Sequence, residues 1–566
     1  MKRAFPVLSL RAVPVLPVII SLFTALFLGC AALHAAAEEF PPATASNFEV
    51  SPLFSDNMVL QQNEPIRVWG TCAEEGSVIH ARLADSYGYA RVSDGVWQME
   101  LAPRCAQTEP LTLEVYGSSG AERRIFENLT VGDVWFVVGQ SNVEYSFGSL
   151  AEYELLCSSL AGKNIRFLSF SSDDLEKLTL APLKKAVAPT LPPASKVWRS
   201  ITHSENVNAS ALGLCFALEL DGLCAGEIPI GIISLGFSGH ELAAFVQPEI
   251  SKRLSGYDDK SLIYNTLIAP FLPMPIRGMI WYQGEANAPY YAEYADAFAA
   301  FIGQFRTDKN QSAYRDFSLY LVELPPCFPS PEGYDGDWQY ADFGSVRAVQ
   351  GCLPMRLENC YICSTLDLWS DRTYSNSLHP PNKPAIAKRL AGMAAANEWG
   401  FSEYALLCAP TVREIRAVDE SGCCYDVFFD HAGEGLQWCG GADGAGFEAV
   451  GGSWQPLSVT AQICGKDCVR IRTAEKIYFL RYAYATSSVF AETAALCNAG
   501  GIPAAAFSYE ITAIPTPFYE YLHIAAVRVI GLFYPYRFGM AALLALCGTL
   551  FLLLKIRKRK GKMDQP

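Results

Sequence analysis

Histidine is scarce, with seven in 566 residues, and no basic stripe occurs outside the last dozen positions. With a formal net charge of −14 and a pI of about 5.1, the surface disfavours a nucleic-acid or polyanion partner and suits a neutral or weakly charged ligand. Metal-ligand spacing is missing as well. Cys360-x-x-Cys363 stands without a second pair at zinc-ribbon distance, so no metal site is read there. There is no repeat at a fixed period and no low-complexity tract, which excludes solenoids and long disordered segments. The G-x-S-x-G elbow is also absent.

What is present is a long chain, 51% hydrophobic, which can bury large cores and should divide into several units. Residues 1–37 read as a signal peptide: Lys2, Arg3 and Arg11 precede an apolar run from Val13 to Leu28, and small residues end at Ala35-Ala36-Ala37. Phe27-Leu28-Gly29-Cys30 offers the alternative of a lipidated Cys30. Phe538 to Leu554 is uncharged and long enough for a transmembrane helix, and Lys555, Arg557, Lys558, Arg559, Lys560 and Lys562 follow it. The expectation is an exported, membrane-anchored protein with its body on the extracytoplasmic side and a basic cytoplasmic tail at 555–566. Setting aside Cys30 and Cys547 leaves 16 of 18 cysteines, an even number compatible with disulfides in an oxidising compartment.

Between these ends the periodicity changes twice. Residues 40–130 carry short alternating strands closed by Gly70, Gly76, Gly95 and Gly117, the pattern of an N-terminal β-sandwich. From 131 to 400 strands alternate with helices: Val134 to Val138, Ala209 to Cys224, Ile228 to Leu235, Met279 to Tyr282, Tyr290 to Arg306 and Phe317 to Val322. Such alternation implies an α/β fold with a mostly parallel sheet covered on both faces, and a ligand at the carboxyl ends of its strands. Residues 401–515 return to strands and form a C-terminal β module, and the aromatic stretch 516–537 reads as a juxtamembrane connection.

The candidate chemistry begins where the run Val134 to Val138 is broken by Gly139 ahead of Ser141. A hydroxyl at the end of a central strand stands at the sheet rim, where a following helix can offer backbone N–H donors. A serine nucleophile needs a base, and imidazole is the usual one. His34 and His523 fall in the terminal segments and His80 and His431 in the β modules, leaving His203, His240 and His379. His379 is favoured, because it lies in a loop just before the amphipathic helix Pro384 to Ala395; an idle exposed histidine is the plain alternative. Donors for an oxyanion could come from Gly236-Phe237-Ser238-Gly239 and from the side-chain amide of Gln283.

These motifs carry a resemblance. Gly139-Gln140-Ser141-Asn142, Trp281-Tyr282-Gln283-Gly284-Glu285-Ala286-Asn287 and His379-Pro380-Pro381-Asn382-Lys383 resemble the sialate O-acetylesterase family of SGNH-type hydrolases. So do Leu53 to Gln61 near the start and Gly501 to Phe507 near the end. The resemblance implies a three-layer α/β/α SGNH-type domain. It also implies a serine carboxylic-ester hydrolase that removes acetyl groups from sugar hydroxyls with no metal or organic cofactor. Ser141 would attack, His379 would relay the proton, and the N–H groups of Ser141 and Gly239 with the Gln283 amide would hold the oxyanion. Asn142, Glu285, Asn287 and Ser377 would support them.

The likeness has departures. Family members place an acid two or three residues before the histidine, where this chain has Ser377 and Asn376. Either the chain runs on a dyad, or an acid such as Asp367 or Asp371 arrives from elsewhere. The second motif reads Ser238-Gly239-His240-Glu241, which brings titratable groups to the pocket edge. The expected partner is an O-acetylated sugar or glycan, with no nucleic acid. An acetyl xylan or other polysaccharide acetylesterase, or a catalytically silent surface glycan-binding protein, are the alternative readings.

Overall fold

The computed structural model describes residues 41–118, 122–180, 196–200, 207–256, 260–314, 316–326, 343–368, 378–440, 442–452, 454–484 and 495–511. Within them the fold is organised by one 17-residue strand, Arg123–Gly139. Its last eleven residues are all buried because different side chains serve two faces. Val134, Phe136 and Val138 pack with Met279, Trp281 and the Phe298, Phe301 and Phe305 face of helix Tyr291–Lys309. Trp135 and Val137 pack with Leu212, Phe216 and Leu220 of helix Ala211–Leu223 and with Ile386, Leu390 and Met393 of helix Lys383–Trp399. Alternation between two covered faces is what turns a period of two into a continuous apolar run in the sequence.

The strand belongs to a mixed sheet of 11 strands. The main path runs Arg199–Ser200, Ile165–Phe170, Ile230–Gly236, Arg123–Gly139, Gly278–Tyr282, Ser318–Val322 and Cys360–Cys363. Neighbours on it pair in parallel, save the first two, which are antiparallel. The amino-terminal half of the long strand pairs instead with Gln107–Tyr116 and Val59–Gln61, through which the β hairpin Val78–Leu83 and Ser86–Arg91 joins the same sheet. Position 130/131, where the periodicity of the sequence changes, thus lies inside a single strand. Phe48–Val50, Ile66–Cys72 and Val96–Leu101 make a separate antiparallel sheet, and two four-stranded sheets beyond residue 410 enclose their own core of Val427, Phe429, Ile471, Leu480 and Phe507.

The expectation of a membrane anchor is corrected. Residues 1–37 and 516–566 lie outside the described residues, and among the described residues no helix is long and apolar enough to cross a membrane. Helix Tyr291–Lys309 reaches 19 residues but carries Glu293, Asp296, Arg306, Asp308 and Lys309, charges that a lipid interior would not accept. Anchoring through a C-terminal helix, with the orientation it implied, has no support in the structure and is set aside.

The long strand admits no side chain at Gly132, where a Cβ would lie 1.9 Å from the Pro229 carbonyl oxygen. Gly303, exposed on helix Tyr291–Lys309, would meet nothing within 4 Å. Gly132→Ala is therefore expected to destabilise by about 1–3 kcal/mol, and Gly303→Ala to be neutral or stabilising by about 0.5–1 kcal/mol. Urea unfolding of the two variants checks this; equal midpoints would contradict the packing described.

Candidate active site

The parallel register sets Gly139 opposite Gly236 on one neighbour and opposite Tyr282 on the other. Three strand ends therefore stop at one level, and Ser141, Gly239 and Gln283 all emerge on the same rim. Gly139 is required there, since a Cβ would lie 2.0 Å from the Tyr282 carbonyl oxygen. Gln140 then accepts the N–H groups of Gly284 and Ala286, each at 3.3 Å, which ties the Ser141 turn to the third motif.

Ser141 opens a four-residue helix, Ser141–Glu144. Its Oγ lies 2.8 Å from Nε2 of His379, although 238 positions separate the two in sequence. The half-buried imidazole is held below the ordinary histidine range, first by burial and then by the neighbouring Lys383 ammonium. Nδ1 of His379 has no partner among the described residues. Asp371 and Ser377 lie outside them, and both carboxylate oxygens of Asp367 are taken by Arg389 at 2.9 and 2.8 Å, so the described candidate for a third acid is engaged elsewhere.

The backbone N–H groups of Ser141 and Gly239 find no acceptor among the described residues. Gly239 adopts φ +75°, is exposed, and faces open space. Gln283 is placed differently from the sequence expectation. Its Nε2 donates to the His240 carbonyl at 3.2 Å and to Asn287 Oδ1 at 2.7 Å, so both amide protons are used and neither is left for an oxyanion. Asn287 Oδ1 also accepts the Leu242 N–H at 2.8 Å, and together these bonds fix the turn that carries Gly239 and His240.

Two residues without a role in the sequence reading complete the site. Glu144, one helical turn after Ser141, accepts from Ser172 N at 2.7 Å, Ser172 Oγ at 2.8 Å, Ser238 N at 2.9 Å and the Ser238 hydroxyl. It pins the segment leading into Gly239. Lys383, fully buried, donates to Asn142 Oδ1 at 2.8 Å and to the Pro380 carbonyl at 2.6 Å. Asn142 Nδ2 in turn donates to Glu285 Oε1 at 2.5 Å and to the Leu378 carbonyl at 3.0 Å. Burial pushes the Glu285 carboxyl up to about 7 and the Lys383 ammonium down to about 7. One signal for Lys383 was available: a cation in the first turn of a helix opposes the macrodipole, so its position called for another reason.

Among the described residues one group of His, Cys, Asp and Glu side chains could converge on a metal: Asp426, Cys464 and Cys468, in the C-terminal unit and not at this rim. Asp426 is already held by Arg470 through two bonds of 2.7 and 2.8 Å.

A serine hydroxyl on a histidine at the carboxyl end of a central parallel strand, beside unpaired backbone donors, defines the class: an α/β protein arranged as serine hydrolases are. Residues 131–368 match the family model described as carbohydrate esterase, sialic acid-specific acetylesterase. Sialate O-acetylesterases of Pongo abelii and Homo sapiens are each 27% identical over 297 residues, 48% of this chain and 54% of theirs. The chain thus spans about half the length of the curated relatives it matches. A carbohydrate acetylesterase from Xanthomonas citri shares the fold, with a TM-score of 0.64 at 24% identity over 82% of this chain and 100% of that one. Over residues 131–368 the chain is thus similar to the sialate O-acetylesterase family of carbohydrate esterases.

Because burial and Lys383 both disfavour the imidazolium, His379 is expected to titrate below 6.5 and to be neutral, able to accept a proton, at pH 7. NMR of ring-labelled histidine, assigned with His379→Gln, measures this directly. A value above 6.5 would contradict the environment described.

Proposed function

We propose that this chain is a carbohydrate O-acetylesterase that hydrolyses acetyl esters on sugar hydroxyls through an acyl-enzyme on Ser141. The observation that carries the reading is the 2.8 Å contact between Ser141 Oγ and His379 Nε2 beside two unpaired backbone N–H groups. In the reaction Ser141 Oγ attacks the acetyl carbonyl carbon while His379 Nε2 takes the hydroxyl proton. The N–H groups of Ser141 and Gly239 receive the negative charge on the carbonyl oxygen. His379 then protonates the departing sugar oxygen. A water molecule, deprotonated by the same imidazole, attacks the acetyl-serine; the Oγ–acyl bond breaks, the imidazolium returns the proton to Ser141 Oγ, and acetate leaves. Gln283, Asn287 and Glu144 hold the Gly239 turn in place, while Asn142 and Glu285 support the histidine side.

The same reading divides the chain into a β module at 40–130, an SGNH-type three-layer α/β/α domain at 131–400 with a mostly parallel sheet, and a second β module at 401–515, with the strand Arg123–Gly139 running through the first boundary and joining the two units it separates. What supports it is the rim itself: every group assigned a step in the chemistry belongs to the middle range.

Ser141→Ala and His379→Ala are each expected to lower acetate release from O-acetylated sugars by about a thousandfold or more, with the far-UV circular dichroism unchanged. A panel containing acetylated sialate, hexose and pentose esters would identify the sugar. An undiminished rate in either folded variant would overturn the mechanism.

A further inference from the structure

The buried polar groups behind the dyad do more than fill space. Lys383 has no exposed surface, and its ammonium lies 4.9 Å from the ring centre of Tyr145 and 5.6 Å from that of Tyr282. Burying a lysine costs several kcal/mol unless charge and hydrogen bonds are supplied. The contacts it makes all lead to one place. Its bond to the Pro380 carbonyl grips the Pro380–Pro381 peptide, one residue beyond His379, and Asn142 Nδ2 grips the Leu378 carbonyl in the peptide that enters His379. Asn142 is the immediate neighbour of Ser141. The chain is therefore fastened to the Ser141 turn on both sides of His379, directly at the Leu378 carbonyl and through Lys383 at the Pro380 carbonyl. Beyond Asn142, Glu285 Oε1 accepts the same amide, and its Oε2 is buried with no partner among the described residues. The three residues form a strut, lysine to amide to carboxyl, with opposite charges at its two ends.

We propose that Lys383 is a positioning residue: anchored in the Lys383–Asn142–Glu285 strut, it fixes the backbone around His379 and so holds the imidazole on Ser141 Oγ. Pro380 and Pro381 make this grip effective, since their fixed φ angles leave the segment little other freedom once one carbonyl is held. The inference rests on the esterase reading for its kinetic consequences, and on geometry alone for its structural ones.

Electrostatics adds a second consequence. The groups around His379 are Ser141 across the hydrogen bond, Lys383 on the helix that follows it, and Glu285 behind Asn142; Asp367, upstream, is occupied by Arg389. Among the described residues Lys383 is the cation that acts on the imidazole. Removing its charge therefore lets His379 take up a proton at higher pH, and the acid limb of activity moves upward.

The test compares wild type with Lys383→Met and with Lys383→Met/Glu285→Gln in the full-length chain; the double variant leaves no unbalanced buried charge and carries the test should the single variant fail to fold. With p-nitrophenyl acetate as probe, both variants are expected to lose about tenfold or more in kcat with KM within about twofold. The acid limb of kcat/KM is expected to rise by about one pH unit. A merely structural lysine would lower stability without moving that limb. Wild-type kcat and an unmoved limb in either folded variant would overturn the proposal, as would full recovery of kcat in the double variant, which would make Lys383 only a counter-charge for Glu285. If wild type releases no acetate, the esterase reading fails, and the His379 titration by NMR decides this one separately: an unchanged value in Lys383→Met overturns it.

Discussion

Gly139 stands opposite both Gly236 and Tyr282, and this parallel register is the constraint on which the site depends. It brings the ends of three strands to one level without any contribution from the loops beyond them. A slip of one residue in either pairing would turn the neighbouring motif to the other face of the sheet. The register is held tightly because Val134 to Val138 are buried on both sides and because Gly132 and Gly139 sit in backbone contact with Pro229 and Tyr282. The chemistry is thus positioned by packing first and by hydrogen bonds second.

The short helix Ser141–Glu144 then distributes the site. Ser141 faces the histidine, Asn142 turns back to the Leu378 carbonyl and Lys383, and Glu144 reaches the Ser172 and Ser238 donors. One turn of helix thereby fixes His379 on one side and the Gly239 turn on the other. Removing one member of a buried charged pair costs about 3–5 kcal/mol, so the Lys383 and Glu285 environment is an expensive way to gain stability alone. Its hydrogen bonds run to the backbone around His379 rather than across the core, which is what the proposed positioning role requires.

Much of this was legible in the sequence because it rests on local pattern. The apolar run ending at Gly139, the strand from Ile228 and the helix from Tyr290 appear as Arg123–Gly139, Ile230–Gly236 and Tyr291–Lys309. Ser141 and His379 were readable from their motifs and from the scarcity of histidine. Three features were not. The long strand crosses the apparent boundary at 130/131, because a change of periodicity marks a change in what covers a strand and not where the strand ends. Gln283 carries its amide to His240 and Asn287, a choice set by neighbours that no motif spacing reveals. Lys383 stands at a helix start, and only the fold shows that this start is buried against Asn142.

The central claim is that Ser141 is a nucleophile activated by His379 at this rim. The most direct measurement is treatment of the folded chain with a fluorophosphonate, followed by intact-mass and peptide analysis. The account predicts a single adduct on Ser141, formed slowly or not at all in His379→Ala. A chain that stays unlabelled while folded, or that is labelled equally well without His379, would contradict it.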